Sequence, residues 1–265
     1  GFRAGDLVHN AFSYHMTPGA YIMESGAHAI GCTVFPAGVG QTEQQLQAVA
    51  ELKPNAYTGT PSFLRILVEK AEESKADIAS LKKGMVGGEA LPPSLRDWFA
   101  ERGISVAQSY ATADLGMIAY ETSARQGMVV EEGVIVEIVR PGTGDLSAVL
   151  PGTCPTGRTN MRIKGWLGRA DQTTKIRGMF VHPAQVADIT KRFPEIVKAR
   201  LVVSGEMAND VMTLKVEASS VPQGLDARIG DAIRDVTKLR GDVELVSPGT
   251  LPNDGKVIED ARSYK

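Results

Sequence analysis

The sequence predicts an α/β chain, a large part built on a parallel-rich sheet followed by a small α+β part. Three observations carry that prediction. Up to residue 110, short apolar runs ended by Gly or Pro alternate with stretches of helical period, the pattern of strands joined by crossover helices. Three of those runs end in small polar text, at Thr58-Gly59-Thr60, Gly87-Gly88-Glu89 and Ser109-Tyr110-Ala111-Thr112. Further on, Lys164, Arg169, Lys175 and Arg177 crowd among glycines with one acid, Asp171, and the order then becomes helix, strand, strand, helix, strand. Cations on short Gly-bounded elements cannot make a core. They suit an anion, and their place between two kinds of text suits a hinge. The chain is therefore divided into 1–168 and 169–265.

Residues 6–10 read as the first strand. A turn at Thr17-Pro18-Gly19 leads into a small-residue helix over 21–29, and 30–36 is an apolar strand ended by Pro36. Thr42 with Gln45 three residues on has the form of a capping box. It opens a helix with Leu46, Val49 and Ala50 on one face, ended by Pro54. Residues 56–60 are a strand and turn. Thr60 caps and Pro61 starts the next helix, which carries Phe63, Leu64, Leu67 and Val68 on one side. Residues 83–89 are a strand running into a double glycine. Pro92-Pro93 begins a helix through Trp98 and Phe99 that Gly103 closes. Residues 104–110 are a strand and 111–114 a polar loop. Residues 129–140 read as β, with Val134, Val136 and Ile138 on one face. Residues 146–150 form a short strand and 151–160 a loop. In the second part 183–193 is a helix, 198–204 and 210–218 are strands, 226–239 is an amphipathic helix, and 243–246 is a last strand.

The 265 residues suffice for one large domain or two ordinary ones. Hydrophobic content of 43% and charged content of 23% are those of a globular protein. A net charge of −2 offers no basic field for nucleic acid and no polybasic surface for anionic lipid. Cys32 and Cys154, the two cysteines, make neither a disulfide framework nor a zinc site; they read as free thiols of a reducing cytoplasm. No apolar run is long enough to span a bilayer. The start at Gly1-Phe2-Arg3 has no signal-peptide core and reads as a chain entered in its middle.

Several constellations could carry chemistry, each with a bland alternative. Gly87-Gly88-Glu89 lies between a strand and a helix, where glycines let a ligand approach the backbone; it is equally a tight turn. Tyr110, Thr112 and Asp114 offer a ring for stacking, a hydroxyl for a phosphate and a carboxylate for Mg²⁺, or simply a polar loop. Asp145 is either an acceptor for a ribose diol or a turn acid. Lys256, on the loop 249–256, is either solvated or a point charge for a carboxylate or phosphate. His9, His15, His28 and His182 lack metal-ligand spacing. His9 and His15 could line a pocket, and His28 reads as packed or capping. There is no Gly-x-Ser-x-Gly elbow and no Walker-type loop.

Taken in order, these pieces resemble the adenylate-forming, AMP-forming acyl-CoA synthetase superfamily, and within it phenylacetate–CoA ligase and its relatives. The resemblance is carried by Phe12-Ser13-Tyr14-His15-Met16-Thr17-Pro18-Gly19, residues 57–64, Gly87-Gly88-Glu89-Ala90-Leu91, Tyr110-Ala111-Thr112-Ala113-Asp114, Gly168-Arg169-Ala170-Asp171, Lys175-Ile176-Arg177-Gly178, and Leu251-Pro252 through Gly255-Lys256. It implies that 1–168 is part of a large adenylation domain and 169–265 a small mobile α+β domain. It implies a two-step ligase: a carboxylate attacks the α-phosphate of ATP, then coenzyme A displaces AMP from the acyl-adenylate. Gly87, Gly88, Glu89 and Ala111 would border the adenine, Tyr110 would stack on it, and Thr112 would meet the α-phosphate. Asp114 would hold Mg²⁺ where relatives usually have Glu. Asp145 would take the ribose hydroxyls with help from Arg169. Asp171 would be the hinge, Lys256 would serve adenylation and Lys175 thioester formation. Tyr14, His15, Tyr57 and Phe63 would line an acyl pocket whose aromatic wall suits an aryl or arylacetic acid. The implied protein is cytoplasmic, uses ATP, Mg²⁺ and coenzyme A, has no nucleic-acid or membrane partner, and belongs among relatives that often form homodimers.

Two departures accompany the resemblance. The Ser/Thr/Gly-rich phosphate loop of the family belongs upstream of residue 1. In addition, the strand-like text 135–142 runs directly into Thr143-Gly144-Asp145, where relatives carry a strand-rich segment; 142–143 is read as a junction. A chain joined there would lack a β-subdomain and be catalytically dead. The competing reading is accordingly a non-catalytic or carrier-linked adenylation-domain remnant that binds nucleotide or acyl groups. An NAD-type binding protein is disfavoured by the missing Gly-x-Gly-x-x-Gly.

Overall fold

The computed structural model describes residues 1–138, 144–205 and 210–262. The chain forms two compact units, Gly1–Gly168 and a second that begins at Arg169. The first unit contains β1 (Leu7–Asn10), α1 (Gly19–Ala29), β2 (Thr33–Pro36), α2 (Thr42–Leu52), β3 (Ala56–Gly59), α3 (Pro61–Ser74), β4 (Lys83–Val86), α4 (Pro93–Glu101), β5 (Ser105–Thr112), β6 (Gly116–Glu121), β7 (Met128–Val130), β8 (Val149–Leu150) and β9 (Arg162–Ile163). Among the described residues these strands make one sheet in the order β2-β1-β3-β4-β5-β6-β7-β9-β8. β2 through β5 pair in parallel, and the later strands pair antiparallel.

Each βα unit follows from local chemistry. β3 is buried along its whole length, Ala-Tyr-Thr-Gly, because it has neighbours on both edges and helices over the sheet. α3 begins where Thr60 Oγ1 accepts the Phe63 amide at 3.3 Å and Pro61 fills the first turn. It buries Leu64, Leu67, Val68 and Ala71, and the larger of these side chains contribute about 1.5–3 kcal/mol each. Gly59 is required by a close approach: a Cβ there would lie 2.2 Å from the Tyr57 hydroxyl oxygen.

Some sequence expectations fail, for visible reasons. The Thr42–Gln45 capping box does not form. Gln41, in the left-handed region, is the N-cap, and the buried Gln45 amide instead donates to Gly38 O (2.9 Å) and Gly40 O (2.7 Å). Residues 111 and 112 are strand, not loop, because β5 runs past its parallel partner and turns antiparallel against β6 with a bulge at Tyr110/Ala111. The strand expected over 129–140 is only β7; 131–138 is not strand, and 139–143, including the expected junction, lies outside the described residues. β6 and β9 have no counterpart in the sequence reading: β6 is a hairpin return, and β9 has only two residues.

The second unit contains β10 (Thr174–Ile176), β11 (Met179–Val181), α5 (Pro183–Lys191), β12 (Ile196–Ser204), β13 (Val211–Ala218), α6 (Leu225–Thr237), β14 (Asp242–Val246) and β15 (Ile258–Asp260). β10 and β11 form a hairpin. The other strands make a sheet in the order β14-β13-β12-β15, whose central pair is antiparallel. α5 and α6 supply Val186, Ile189, Ile229 and Ile233 to a core with Leu201, Val203, Leu214 and Val216. β15 also escapes the sequence reading; it sits beyond the loop that carries Lys256.

Candidate nucleotide site

Parallel pairing sets the C-terminal ends of β3, β4 and β5 side by side, the edge of an open α/β sheet where ligands bind. Gly59 O accepts the Gly87 amide at 3.2 Å, joining the first two ends. Ser109 Oγ donates to Val86 O at 3.2 Å, joining the second and third. A Cβ on Gly87 would come within 2.8 Å of Ser109 Oγ, so the glycine keeps these strands close. Gly88 holds φ at +76°, a left-handed conformation that glycine adopts without strain. Glu89, half-buried, accepts the Ser62 amide at 3.4 Å from the first turn of α3, where a carboxylate meets the positive end of the helix.

Tyr110 and Asp145, separated by 35 residues, meet directly. The Tyr110 hydroxyl donates to Asp145 Oδ2 at 2.7 Å. The Trp166 indole N–H donates to Asp145 Oδ1 at 3.0 Å. Both side chains of the Tyr110–Asp145 pair remain partly solvent-accessible. An aromatic ring held beside a carboxylate at a strand end can stack on a base and accept hydrogen bonds from a diol. Thr112 is half-buried as the last residue of β5, its hydroxyl accepting the Leu115 amide at 3.3 Å. Ala111 and Asp114 are exposed beside it. Trp166 was not singled out in the sequence; its place four residues before Ala170, in the cationic stretch, is the one signal that could have found it.

The side chains expected at an acyl pocket do not share one environment. Tyr14 lies in the loop after β1, bonded to Glu24 Oε2 at 2.5 Å and Asn10 Nδ2 at 2.9 Å. Burial and the neighbouring Glu24 push its hydroxyl pKa well up. Its ring packs edge-on against Tyr21. His15 is exposed, and Phe63 is half-buried at the start of α3. Tyr57 is fully buried, with its hydroxyl donating to Thr60 O at 3.2 Å, and burial pushes its pKa upward. It supports the β3 end from inside and presents no surface to a ligand. His9 is likewise fully buried between Phe35 and Tyr57 and bonded to Gln45 at 2.7 Å. His28 meets Cys32 O at 3.3 Å and Glu24 at 3.5 Å.

In the second unit, Arg169 Nε donates to Asp171 Oδ1 at 3.0 Å and its Nη2 to Oδ2 at 2.5 Å. This guanidinium holds the Asp171 carboxyl well below the usual range. Lys175 Nζ stands 5.7 Å from the Phe180 ring centroid across the β10–β11 hairpin. Lys256 is exposed on the loop before β15, and its amide donates to Asp254 Oδ1 at 3.1 Å. Gln172, Lys198 and Arg200, absent from the sequence reading, hold that loop. Among the described residues no cluster of three metal-ligating side chains occurs, and no helix is long and apolar enough to cross a membrane.

Comparison with known proteins gives this geometry its class. Residues 3–153 match the AMP-binding enzyme family, and 178–261 match the AMP-binding enzyme C-terminal domain. The chain belongs to the AMP-binding enzyme family. It is 30% identical over 254 positions to phenylacetate-coenzyme A ligase of Aromatoleum evansii, covering 82% of this chain and 57% of that enzyme. The phenylacetate-coenzyme A ligase of Pseudomonas putida is 28% identical over 304 positions, covering 97% of this chain and 68% of that enzyme. Because this chain has 265 residues, at least 39 of those 304 positions face a gap in it. The fold matches a crystal structure of 2-hydroxyisobutyryl-CoA ligase in complex with 2-HIB-AMP and CoA, with a TM-score of 0.79 at 24% identity, over 100% of this chain and 66% of that one. The chain thus spans little more than half the length of the Aromatoleum relative.

Proposed function

We propose that this chain is the nucleotide-handling part of an AMP-forming acid–thiol ligase that activates an aryl or arylacetic acid, phenylacetate-like in class. The observation that carries the reading is the Tyr110–Asp145 pair, which joins the end of β5 to the segment before β8. In this reading Tyr110 stacks on adenine, and Asp145, steadied by Trp166, receives the ribose hydroxyls with Arg169 assisting. Gly87, Gly88, Glu89 and Ala111 border the base, and the Thr112 hydroxyl meets the α-phosphate. The carboxylate of the acid attacks the α-phosphorus of ATP, and the bond to pyrophosphate breaks. Lys256 offsets the charge that builds on the phosphoryl oxygens. The thiol of coenzyme A then gives up its proton and attacks the acyl carbonyl, AMP leaves, and Lys175 faces that step, with Asp171 as the hinge between the two. The exposed Asp114 supplies one hard oxygen, which fits Mg²⁺, an ion that completes its shell with water and phosphate oxygens. That ion would neutralise phosphate charge. Tyr14, His15 and Phe63 are the side chains assigned to the acid.

The test is pyrophosphate release with ATP, Mg²⁺ and a panel of arylacetic, benzoic and short aliphatic acids, with and without coenzyme A. Release that depends on an arylacetic acid is expected; release with no acid of the panel removes the reading. Lys256→Ala should lower adenylation by about 10²-fold or more and spare thioester formation from supplied acyl-AMP. Lys175→Ala should do the reverse. A second reading, a nucleotide-binding remnant without ligase activity, is favoured by the gap of 39 or more positions against the Pseudomonas relative. It expects AMP binding, measured by calorimetry, without pyrophosphate release.

A further inference from the structure

The loop that presents Lys256 is held by a side chain from the turn at Arg169–Thr173. Gln172 Nε2 donates to Gly255 O at 3.2 Å, and Gln172 Oε1 accepts the Val257 amide at 2.7 Å. One amide thus brackets Lys256 on both sides. Gln172 itself sits at φ +59°, a conformation costly for a residue with a Cβ. The cost is offset locally: Asp171 Oδ1 accepts the Thr173 amide at 3.0 Å across Gln172, and Arg169 grips the same carboxylate. From the far side, the buried Arg200 holds Asp254, and Lys198 Nζ donates to Leu251 O (3.0 Å) and Pro252 O (2.8 Å). These grips leave the Lys256 backbone little freedom while its side chain stays exposed.

We infer that Gln172 is a positioning residue for adenylation: its side-chain amide fixes the backbone of Lys256 to the turn that contains Asp171. The inference rests on the proposed role of Lys256. A lysine that stabilises a transition state must be held before the reaction, since ordering a long side chain and its loop during the step costs free energy. Gln172 supplies that order with hydrogen bonds to backbone on each flank of Lys256, to Gly255 O on one side and from the Val257 and Ile258 amides on the other.

Two variants separate the bracket from backbone strain. Gln172→Asn tolerates the left-handed conformation but is one methylene too short to span the loop. Gln172→Glu keeps the acceptor for Val257 and loses the donor to Gly255. NMR-detected amide exchange should show Val257 exchanging about tenfold faster in Gln172→Asn, with Leu214 in the centre of the second sheet unchanged and Gln172→Glu in between. Acid-dependent ATP–pyrophosphate exchange should fall about tenfold in kcat in Gln172→Asn and recover partly in Gln172→Glu, while thioester formation from supplied acyl-AMP stays as in the parent. Unchanged Val257 exchange overturns the inference. So does faster exchange with full adenylation, provided Lys256→Ala abolishes adenylation. If Lys256→Ala has no effect, or the parent chain does not adenylate, the ligase reading fails and the positioning role for adenylation falls with it.

Discussion

At the residue scale, one buried carboxylate makes stability depend on pH. Asp6 is 6% exposed and lies immediately before β1. Burial pushes its pKa up, but the Lys83 ammonium at 2.7 Å, the Arg3 amide and the Asn55 amide together prevail and hold it below the usual value. A carboxyl whose folded pKa is depressed adds stability that is fully present above its unfolded value of about 3.9 and is lost as pH falls through the folded value. Asp6→Asn should therefore cost about 1–3 kcal/mol at pH 7. In urea titrations from pH 7 to pH 2 the gap between parent and variant should begin to close only below about pH 4. A gap that stays constant to pH 2 would show that the ion pair does not contribute. Such a partner set was invisible in the sequence, because Asp6, Asn55 and Lys83 are scattered along the chain. The same limit applies to the site. Tyr110, Thr112, Asp145 and Lys256 stood in recognisable text, whereas Trp166 and Gln172 act through contacts that no local spacing encodes. Tyr57 shows the opposite error: it stands in motif text, but β3 is buried along its whole length and its ring is buried with it.

At the element scale, local patterns identified the βα units because propensity, caps and apolar spacing agreed there. Thr60-Pro61 and the apolar face of α3 needed no tertiary information. β9 and β15 are illegible because they are short and owe their existence to partners, and β6 because it is a hairpin return whose pairing with β5 no local pattern encodes. α2 shows tertiary structure overriding a local signal. Gln45, expected to serve a capping box, instead bridges the Gly38 and Gly40 carbonyls and the Nε2 of buried His9. The helix is anchored to β1 through this amide. Gln45→Leu has similar bulk and strands the partners on both sides, with His9 Nδ1 already lacking a protein hydrogen bond. The expected loss is about 1–3 kcal/mol in urea unfolding. His9→Leu combined with Gln45→Leu should recover part of it, since two apolar groups leave fewer orphaned polar atoms. A double variant less stable than the sum of the singles would contradict this account.

At the scale of the whole molecule, each unit carries its own apolar interior. The cluster formed by Ile176, Val186, Leu201, Leu214, Ile229 and Ile233, among others, draws all its members from beyond Arg169. The clusters around Val8 and around Ile118 draw theirs from Gly1–Gly168. A unit with a self-contained core and its own hydrogen-bonded sheet is expected to unfold cooperatively by itself. Calorimetry of the full chain should therefore resolve two transitions, and each should answer only to its own core. Ile233→Ala removes a fully buried side chain from α6, a change worth about 2–5 kcal/mol, and should lower one transition alone. Gln45→Leu should lower the other. A fragment beginning at Arg169 should melt at the temperature of the transition that Ile233→Ala moves. A single transition shifted equally by both substitutions would mean that the units fold as one, and Asp171 could then not serve as a pivot between separately stable bodies.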